Sequence, residues 1–413
     1  MTDRLYYTDP YSREFDATIL SVDNPGNPGG AASVRLDRTI FYPASGGQPC
    51  DLGTLGPHRV VDVIGADDGD VTHVVELSAS PGGAGLRELG DALHRGRSVH
   101  GSIDWPRRFD HMQQHTGQHV FSAALDRLFG ARTVGFHMGA DASTIDLARE
   151  LTARELAAAE DEANRVVWED RPVTIRFATA EEASRLPLRK ESDRTGTLRL
   201  VDVEGFDLSA CGGTHVARTG EIGVMAIMAW ERFKGGQRLE FCCGKRAHGR
   251  LRSLRDTSAA SARLLSVPAG ALPEAVERLL ADAKDQRRRL AGLQSDLTRY
   301  RAEELAAAAE PTALGRVVLR ALDADAGVLK TLAAAVVSCG GLIVVLASAT
   351  RPVLVVVARS PDIGVSSNQI LARLTARFGG RGGGKPDLAQ GGGLDAPAEA
   401  ILAEVRAMLD EEA

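Results

Sequence analysis

Along this chain the spacing of apolar and polar positions changes several times, and each change marks a region. Up to about residue 100, short alternating runs such as Ala17–Val22, Ala32–Leu36, Arg59–Ile64 and Val71–Leu77 lie between Gly, Pro and Asp turns. That pattern predicts the strands of a small β-barrel-like domain. From about Trp105 the period becomes helical, and Phe109 to Phe129 carries Val120, Ala124, Leu125 and Leu128. Thr133–His137 and Ser143–Leu147 read as strands. Thr152–Val167 reads as a helix whose Thr152 and Glu155 fit a capping box. Val173–Ala178, Leu198–Val203, Ile222–Trp230 and Gln237–Cys243 complete a mixed helix-and-sheet domain ending near residue 250.

The next stretch, 251–310, is predicted helical. Val276, Leu279, Ala283, Leu290, Leu293, Leu297 and Tyr300 follow a 3-4 spacing that Gln286 interrupts. Too few clean heptads are present to choose between a coiled-coil arm that pairs two chains and a helix packed on its own domain. In 311–413, Leu342–Ala347 and Val353–Ala358 are continuous β-branched runs, as expected of strands covered on both faces. A helix follows at Ser367–Arg377. The apolar stretch Leu332–Ala349 is broken by Ser338, Gly340 and Gly341, so it reads as a helix end feeding a strand and not as a membrane span. The fold expected is α+β, with four regions at 1–100, 101–250, 251–310 and 311–413.

Composition adds bounds. With 413 residues, 44% hydrophobic and 25% charged, the chain can bury several cores and reads as soluble and globular. Cysteines 50, 211, 242, 243 and 339 form no disulfide framework, and the N-terminus shows no export signal, so a cytoplasmic protein is expected. A net charge of −6 argues against wholesale coating of nucleic acid. Local clusters remain, at Arg185, Arg189, Lys190, Arg194 and Arg199, and at Arg232, Lys234, Arg238, Lys245, Arg246, Arg250 and Arg252. They are either a solvated surface or a face for phosphates.

The candidate chemistry lies in two short motifs. His115 and His119 fall on one face of the predicted helix, where both can grip one ion. Cys211-Gly212-Gly213-Thr214-His215 offers a soft ligand, two glycines that allow a tight turn, and another imidazole. One thiolate with three imidazoles suits tetrahedral zinc. A redox role is disfavoured because Cys211 lacks a CxxC partner. A metalloprotease is disfavoured because residue 116 is threonine and not glutamate. The turn Ala44-Ser45-Gly46-Gly47-Gln48-Pro49 is either a hairpin or a point where backbone closely approaches a ligand. In Gly379–Gly393, Arg381, Lys385 and Gln390 sit among glycines; backbone amides with two cations suit a phosphate or RNA end better than a plain linker.

The segment Asp110-His111-Met112-Gln113-Gln114-His115-Thr116-Gly117-Gln118-His119, with Cys211–Val216, resembles the editing domain of alanyl-tRNA synthetase and, more closely, the free-standing AlaX proteins. Phe41-Tyr42-Pro43, Phe136-His137-Met138-Gly139 and Gly235–Glu240 add to the match, and Gly379–Gly393 is similar to the DHH-associated domain. Together they cover nearly the whole chain and resemble the long form of AlaX. The resemblance implies hydrolysis of the ester that joins serine or glycine to the 3′ end of tRNA(Ala), without aminoacylation. It implies that Thr39 bonds the serine hydroxyl and that Gln48 lines the pocket, with Gly46, Gly47 and Arg238 also at the substrate. His137 is a candidate general base or adenosine contact, or an ordinary strand histidine. Four protein ligands would make zinc structural or substrate-orienting, whereas release of one would open a position for water. The rival readings are a zinc hydrolase of another aminoacyl ester, and a tRNA-binding or regulatory module whose zinc is purely structural. Partners expected are mischarged tRNA(Ala), no membrane, and a second copy through the arm or the C-terminal region.

Overall fold

The computed structural model describes residues 1–23, 31–66, 69–76, 93–189 and 196–412. Two compact units result, Met1–Ala260 and Ser261–Ala413. Leu77 of the predicted strand, and Lys190 and Arg194 of the first basic cluster, lie outside the described residues.

The first unit begins with a closed barrel. Its strands are Glu14–Asp23 (β1), Ala31–Leu36 (β2), Gly53–Leu55 (β3), His58–Gly65 (β4), Val71–Glu76 (β5) and Ser98–Ile103 (β6), in the order β1-β2-β5-β4-β3-β6. Strict alternation explains the closure. Phe15, Ala17 and Ile19 of β1 point inward while their neighbours face out, and the inward residues fill the small interior.

Next comes Trp105–Phe129 (α1), started by an Asp104 cap on the Arg107 amide (3.2 Å) and ended by Gly130 in the left-handed region (φ 59°). Thr133–Met138 (β7), Ser143–Leu147 (β8), Ala153–Trp168 (α2), Val173–Thr179 (β9), Thr197–Val203 (β10), Asp207–Ala210 (β11), Met225–Phe233 (β12) and Gly236–Cys243 (β13) follow. They form a sheet ordered β12-β13-β8-β7 and a smaller one ordered β9-β10-β11. The predicted capping box at Thr152 and Glu155 is present. The strand expected from Ile222 starts only at Met225, after Gly223 redirects the chain with φ 69°. A helix, Gly244–Leu265 (α3), leaves the last strand.

In the second unit, Leu272–Ala307 (α4) leads into Glu310–Thr312 (β14), Gly315–Leu322 (β15), Ala326–Val337 (α5), Leu342–Ser348 (β16), Val353–Arg359 (β17), Ser367–Phe378 (α6), Arg381–Gly384 (β18), Leu388–Leu394 (β19) and Ala398–Glu411 (α7). The sheet order is β14-β15-β16-β17-β19-β18. Every residue of β16 is buried. Ile343, Val345 and Ala347 enter one core while Leu342, Val344 and Leu346 enter another, which is why the run is apolar throughout.

The glycine-rich stretch departs from expectation. It is a β-hairpin whose backbone groups pair along β18, β19 and β17, so they do not form an open amide cradle. A Cβ at Gly382 would meet the Gly391 Cα at 2.5 Å, so the glycines let two strands lie against each other. Among the described residues no helix is long and apolar enough to cross a membrane.

Candidate metal centre

Helix α1 is buried along most of its length even though it is rich in polar residues, with His111 to Leu125 all enclosed. Each buried amide therefore needs a partner. Gln114 pairs with both the amide and the carbonyl of Cys243 (2.9 and 3.1 Å), and Gln113 donates to the Glu221 carbonyl (2.8 Å). Gly117 admits the strand behind it, for a Cβ there would lie 2.3 Å from the Cys243 sulfur. The Cys242-Cys243 doublet, for which spacing suggested no task, thus supplies a small residue that fits the Gly117 notch.

One turn of α1 brings His115 and His119 to the loop after β11. The ligand atoms of His115, His119, Cys211 and His215 all lie within 4.8 Å of one another. The Cys211 sulfur is 3.4 Å from His115 Nε2 and 3.3 Å from His215 Nε2. A tetrahedral ion bound at ordinary zinc–nitrogen and zinc–sulfur lengths has ligand edges of about 3.3–3.6 Å, so this donor set has the spacing such an ion needs.

Each ring also has its other nitrogen held. His115 Nδ1 donates to Gln48 Oε1 (2.7 Å), His119 Nδ1 to Asp207 Oδ2 (3.0 Å) and His215 Nδ1 to Thr116 Oγ1 (3.2 Å). The Gln48 amide is oriented in turn, because its nitrogen donates to Thr214 Oγ1 (2.9 Å) and its oxygen accepts from the Thr214 amide (3.2 Å). With every Nδ1 held by an acceptor, the three rings turn Nε2 toward the sulfur, the orientation that suits metal-binding imidazoles. Burial opposes charge on His119, but Asp207 and the sulfur outweigh it and push that ring up to about 9. Burial holds His215 down at about 3. Burial works against the Cys211 thiolate too, and His115 and His215 overcome it, drawing the thiol well below its usual range.

Neither Gly212 nor Gly213 has positive φ, so the loop does not use them to turn, and only Gly213 is required by its small size. A Cβ on Gly213 would sit 2.1 Å from His115 Cε1. Gly46 and Gly47 do turn the chain, at φ 57° and 85°, and the Gly47 carbonyl accepts from the Met138 amide (2.9 Å).

His115, His119 and Cys211 line a cavity of about 980 Å³, together with Arg4, Tyr7, Gly46, Phe136, Arg189 and Arg199 among others. Arg199 donates to the carbonyls of Tyr7 (3.0 Å) and Cys211 (2.7 Å), while its buried Nη2 has no partner.

Gly46 lines the cavity and Gln48 holds His115, whereas Gly47 packs against Phe136 and does not line the cavity. Thr39 does not line the cavity; it is buried in the first unit with its hydroxyl 2.8 Å from His73 Nε2. His137 is exposed on β7, where the alternate residue Phe136 faces the ligands, so a general base at His137 is not what the geometry provides. Arg238 lies away from the cavity, bonded twice to Asp146 (2.7 and 2.9 Å) and stacked on Phe233. Arg381, Lys385 and Gln390 are exposed on the hairpin of the other unit. The second basic cluster is largely neutralised, since Arg232, Arg238, Arg246 and Arg250 each face a carboxylate. Asp207 was missed by sequence reasoning. It stands four residues before Cys211, yet only the fold shows that it faces His119 and Arg189.

Residues 198–244 match the family described as Threonyl and Alanyl tRNA synthetase second additional domain, and residues 314–411 match the DHHA1 domain. The chain is 35% identical to an alanine–tRNA ligase of Methanothrix thermoacetophila over 405 residues, covering 95% of this chain and 42% of that protein. It is 29% identical to alanyl-tRNA editing protein AlaX-L of Pyrococcus horikoshii, covering 95% of this chain and 94% of that protein. Among solved structures, the C-Ala domain from Aquifex aeolicus alanyl-tRNA synthetase is 21% identical over 24% of this chain and 96% of that one. Its TM-score is 0.23, too low to indicate a shared overall fold. The chain thus spans less than half the length of the ligase it matches.

Proposed function

We propose, on the premise that this chain is a homologue of the long-form AlaX alanyl-tRNA editing proteins, that it hydrolyses the ester of tRNA(Ala) mischarged with serine or glycine. The observation that supports this most is the meeting of His115, His119, Cys211 and His215, the first three of which line a cavity large enough for the end of a nucleic acid strand. Zinc held by those four residues would supply positive charge close to the ester carbonyl.

Water adds to the carbonyl carbon, the bond to the ribose oxygen breaks, and the ribose hydroxyl takes up a proton. An aminoacyl ester is already activated, so placement matters more than a strong nucleophile. Gln48, Asp207 and Thr116 hold the three imidazoles in one tautomer and orientation. Arg199, fixed by two carbonyls, turns its spare nitrogen toward whatever acceptor enters. Tyr7, next to both Arg4 and Arg199, offers a ring face for a base.

A second reading has its own support. Four protein ligands close a tetrahedral ion, as in structural sites, and that favours a tRNA-binding module that does not hydrolyse. Release of amino acid from Ser-tRNA(Ala) and Gly-tRNA(Ala), with Ala-tRNA(Ala) spared, is the outcome expected of an editor. No release from any of the three would leave only the binding module, and equal release from all three would point to a less selective aminoacyl esterase. The exposed hairpin is assigned to the RNA as well. In the same assay Arg381→Ala with Lys385→Ala should raise KM and leave kcat unchanged; an unaltered KM would remove the hairpin from the interface.

A further inference from the structure

We propose that a second cleft in the first unit, of about 570 Å³, binds a backbone phosphate of the RNA whose 3′ end enters the metal-side cavity. The proposal rests on the editing reading for the identity of the ligand, and on the cleft itself for its chemistry. The cleft is lined by residues including Arg107, Asp110, His111, Lys245 and Arg246. Two long helices begin at it: Pro106 and Arg107 belong to the first turn of α1, and Lys245 and Arg246 to that of α3. Their partial positive charge favours an anion, although Pro106 has no N–H and the amides of Arg107 and Lys245 are already taken by Asp104 and Gln113, so side chains must supply the donors.

The side chains around the cleft are not equally available. Arg246 is committed, bonded to Asp110 at 2.7–3.0 Å and to the Gly139 carbonyl at 2.7 Å. Asp110 is thereby neutralised, and Asp104 caps α1. Arg107 donates only its Nε, to the Cys50 carbonyl (3.1 Å), and keeps the end of its guanidinium. Among the described residues exposed Lys245 makes no ion pair. His111 supplies an independent observation. It lines the cleft while only 3% exposed, and its enclosed Nδ1 has no hydrogen-bond partner. Leaving a buried polar group unpaired is costly, so a ring kept this way at the wall of a cleft is set to gain from an acceptor that enters. Burial and then Arg107, Arg246 and Arg108 hold the ring down at about 3, so at neutral pH it is an uncharged donor among cations.

Position favours RNA over a free anion. Pro49 lines the cleft immediately after Gln48, which holds His115, and His111 precedes His115 by one turn of α1, roughly 6 Å along the axis. That spacing is short enough for neighbouring nucleotides of one strand to serve both places.

Two measurements on the full chain test this. The first is affinity for deacylated tRNA(Ala) against salt, for the native protein and Lys245→Ala. Expected is binding about 3- to 10-fold weaker at physiological salt, with the slope of log Kd against log salt shallower by roughly 0.7–0.9. The second is titration with inorganic phosphate, read on the His111 ring by nitrogen NMR with His111→Gln as the assignment control. Expected is a saturable shift that Lys245→Ala weakens. A phosphate response with unchanged tRNA affinity and slope would overturn the RNA assignment in favour of a small anion. Weaker tRNA binding with no response at His111 would move the contact out of the cleft and overturn the site. Because deacylated tRNA needs no hydrolysis to bind, a protein that binds through the cleft but releases no amino acid sinks the deacylase and leaves the cleft standing. Normal deacylation with KM unchanged in Lys245→Ala does the reverse.

Discussion

Helices α1 and α4 invert the usual arrangement in opposite directions. Between His111 and Ser122, α1 buries six glutamine and histidine side chains in little more than three turns, yet all but His111 have an assigned partner. On α4 the apolar side chains are the exposed ones: Leu280, Leu290, Leu293 and Tyr300 are 57–67% exposed, and only Ala275, Ala302 and Ala306 are buried. The lesson is that burial follows the partners available and not polarity alone. Polar groups go inside where strands and loops meet each donor, and apolar groups stay outside where nothing within the described chain covers them.

The largest expected effect comes from removing a partnered polar group from α1. His119→Ala should lose the bound metal, measured by elemental analysis, and more than about a hundredfold of deacylase activity. A variant keeping both would break the contrast at its centre, because α1 would then be buried for packing alone.

A second effect separates the two units by pH. All ten histidines and all three tryptophans precede residue 249. Burial holds His73 down at about 4, with the Val34 carbonyl opposing. The unfolded ring takes a proton below about pH 6.5 while the native ring stays neutral, so stability complete above 6.5 is lost as pH falls to about 4. Urea unfolding followed by tryptophan fluorescence, which reports the first unit, should show a loss over that window to which His73 contributes about 3 kcal/mol, beside His111 and His215, which burial also holds down. His73→Leu should reduce the slope by that share; an equal slope in that variant would reassign it to other groups.

Packing gives a smaller effect. Gly117→Ala should destabilise the first unit by about 1–3 kcal/mol through the Cys243 sulfur, and Cys243→Ala beside it should restore part of that. Additive losses in the double variant would show that the notch is not where the two meet. The smallest change is expected on α4. Leu290→Ser with Leu293→Ser should alter the stability of a dilute single chain by no more than about 0.5 kcal/mol. If a second copy covers the stripe, sedimentation should show the native chain losing its larger species in that variant; a large fall in stability at any dilution would mean the stripe is packed within the chain.

Much of the fold was legible because its elements repeat simple periods. The barrel strands alternate, β16 is uniformly apolar, and Thr152 with Glu155 starts α2 as their spacing predicts. That His115, His119, Cys211 and His215 could meet was legible for the same reason, since i and i+4 on a helix and a short loop fix which side chains lie together locally. Arg238, His137 and Thr39 were misplaced because a strand's face and a side chain's partner depend on distant residues: Asp146 for the first, the alternation beside Phe136 for the second, His73 for the third. The glycine-rich hairpin misled for a related reason. Glycine serves close strand pairing as readily as it serves a phosphate, and only the neighbouring strand decides which.

Period and composition thus determined, without any structure, where helices and strands run and which residues could hold an ion. Tertiary structure alone decided that the imidazoles present Nε2 to the sulfur, that Asp207 and Gln48 set them so, and that His111 has no partner beside two helix starts. The reason is range. Backbone periodicity is set within a few residues, whereas hydrogen-bond geometry and burial are set by groups tens of residues away, brought together only when the cores close.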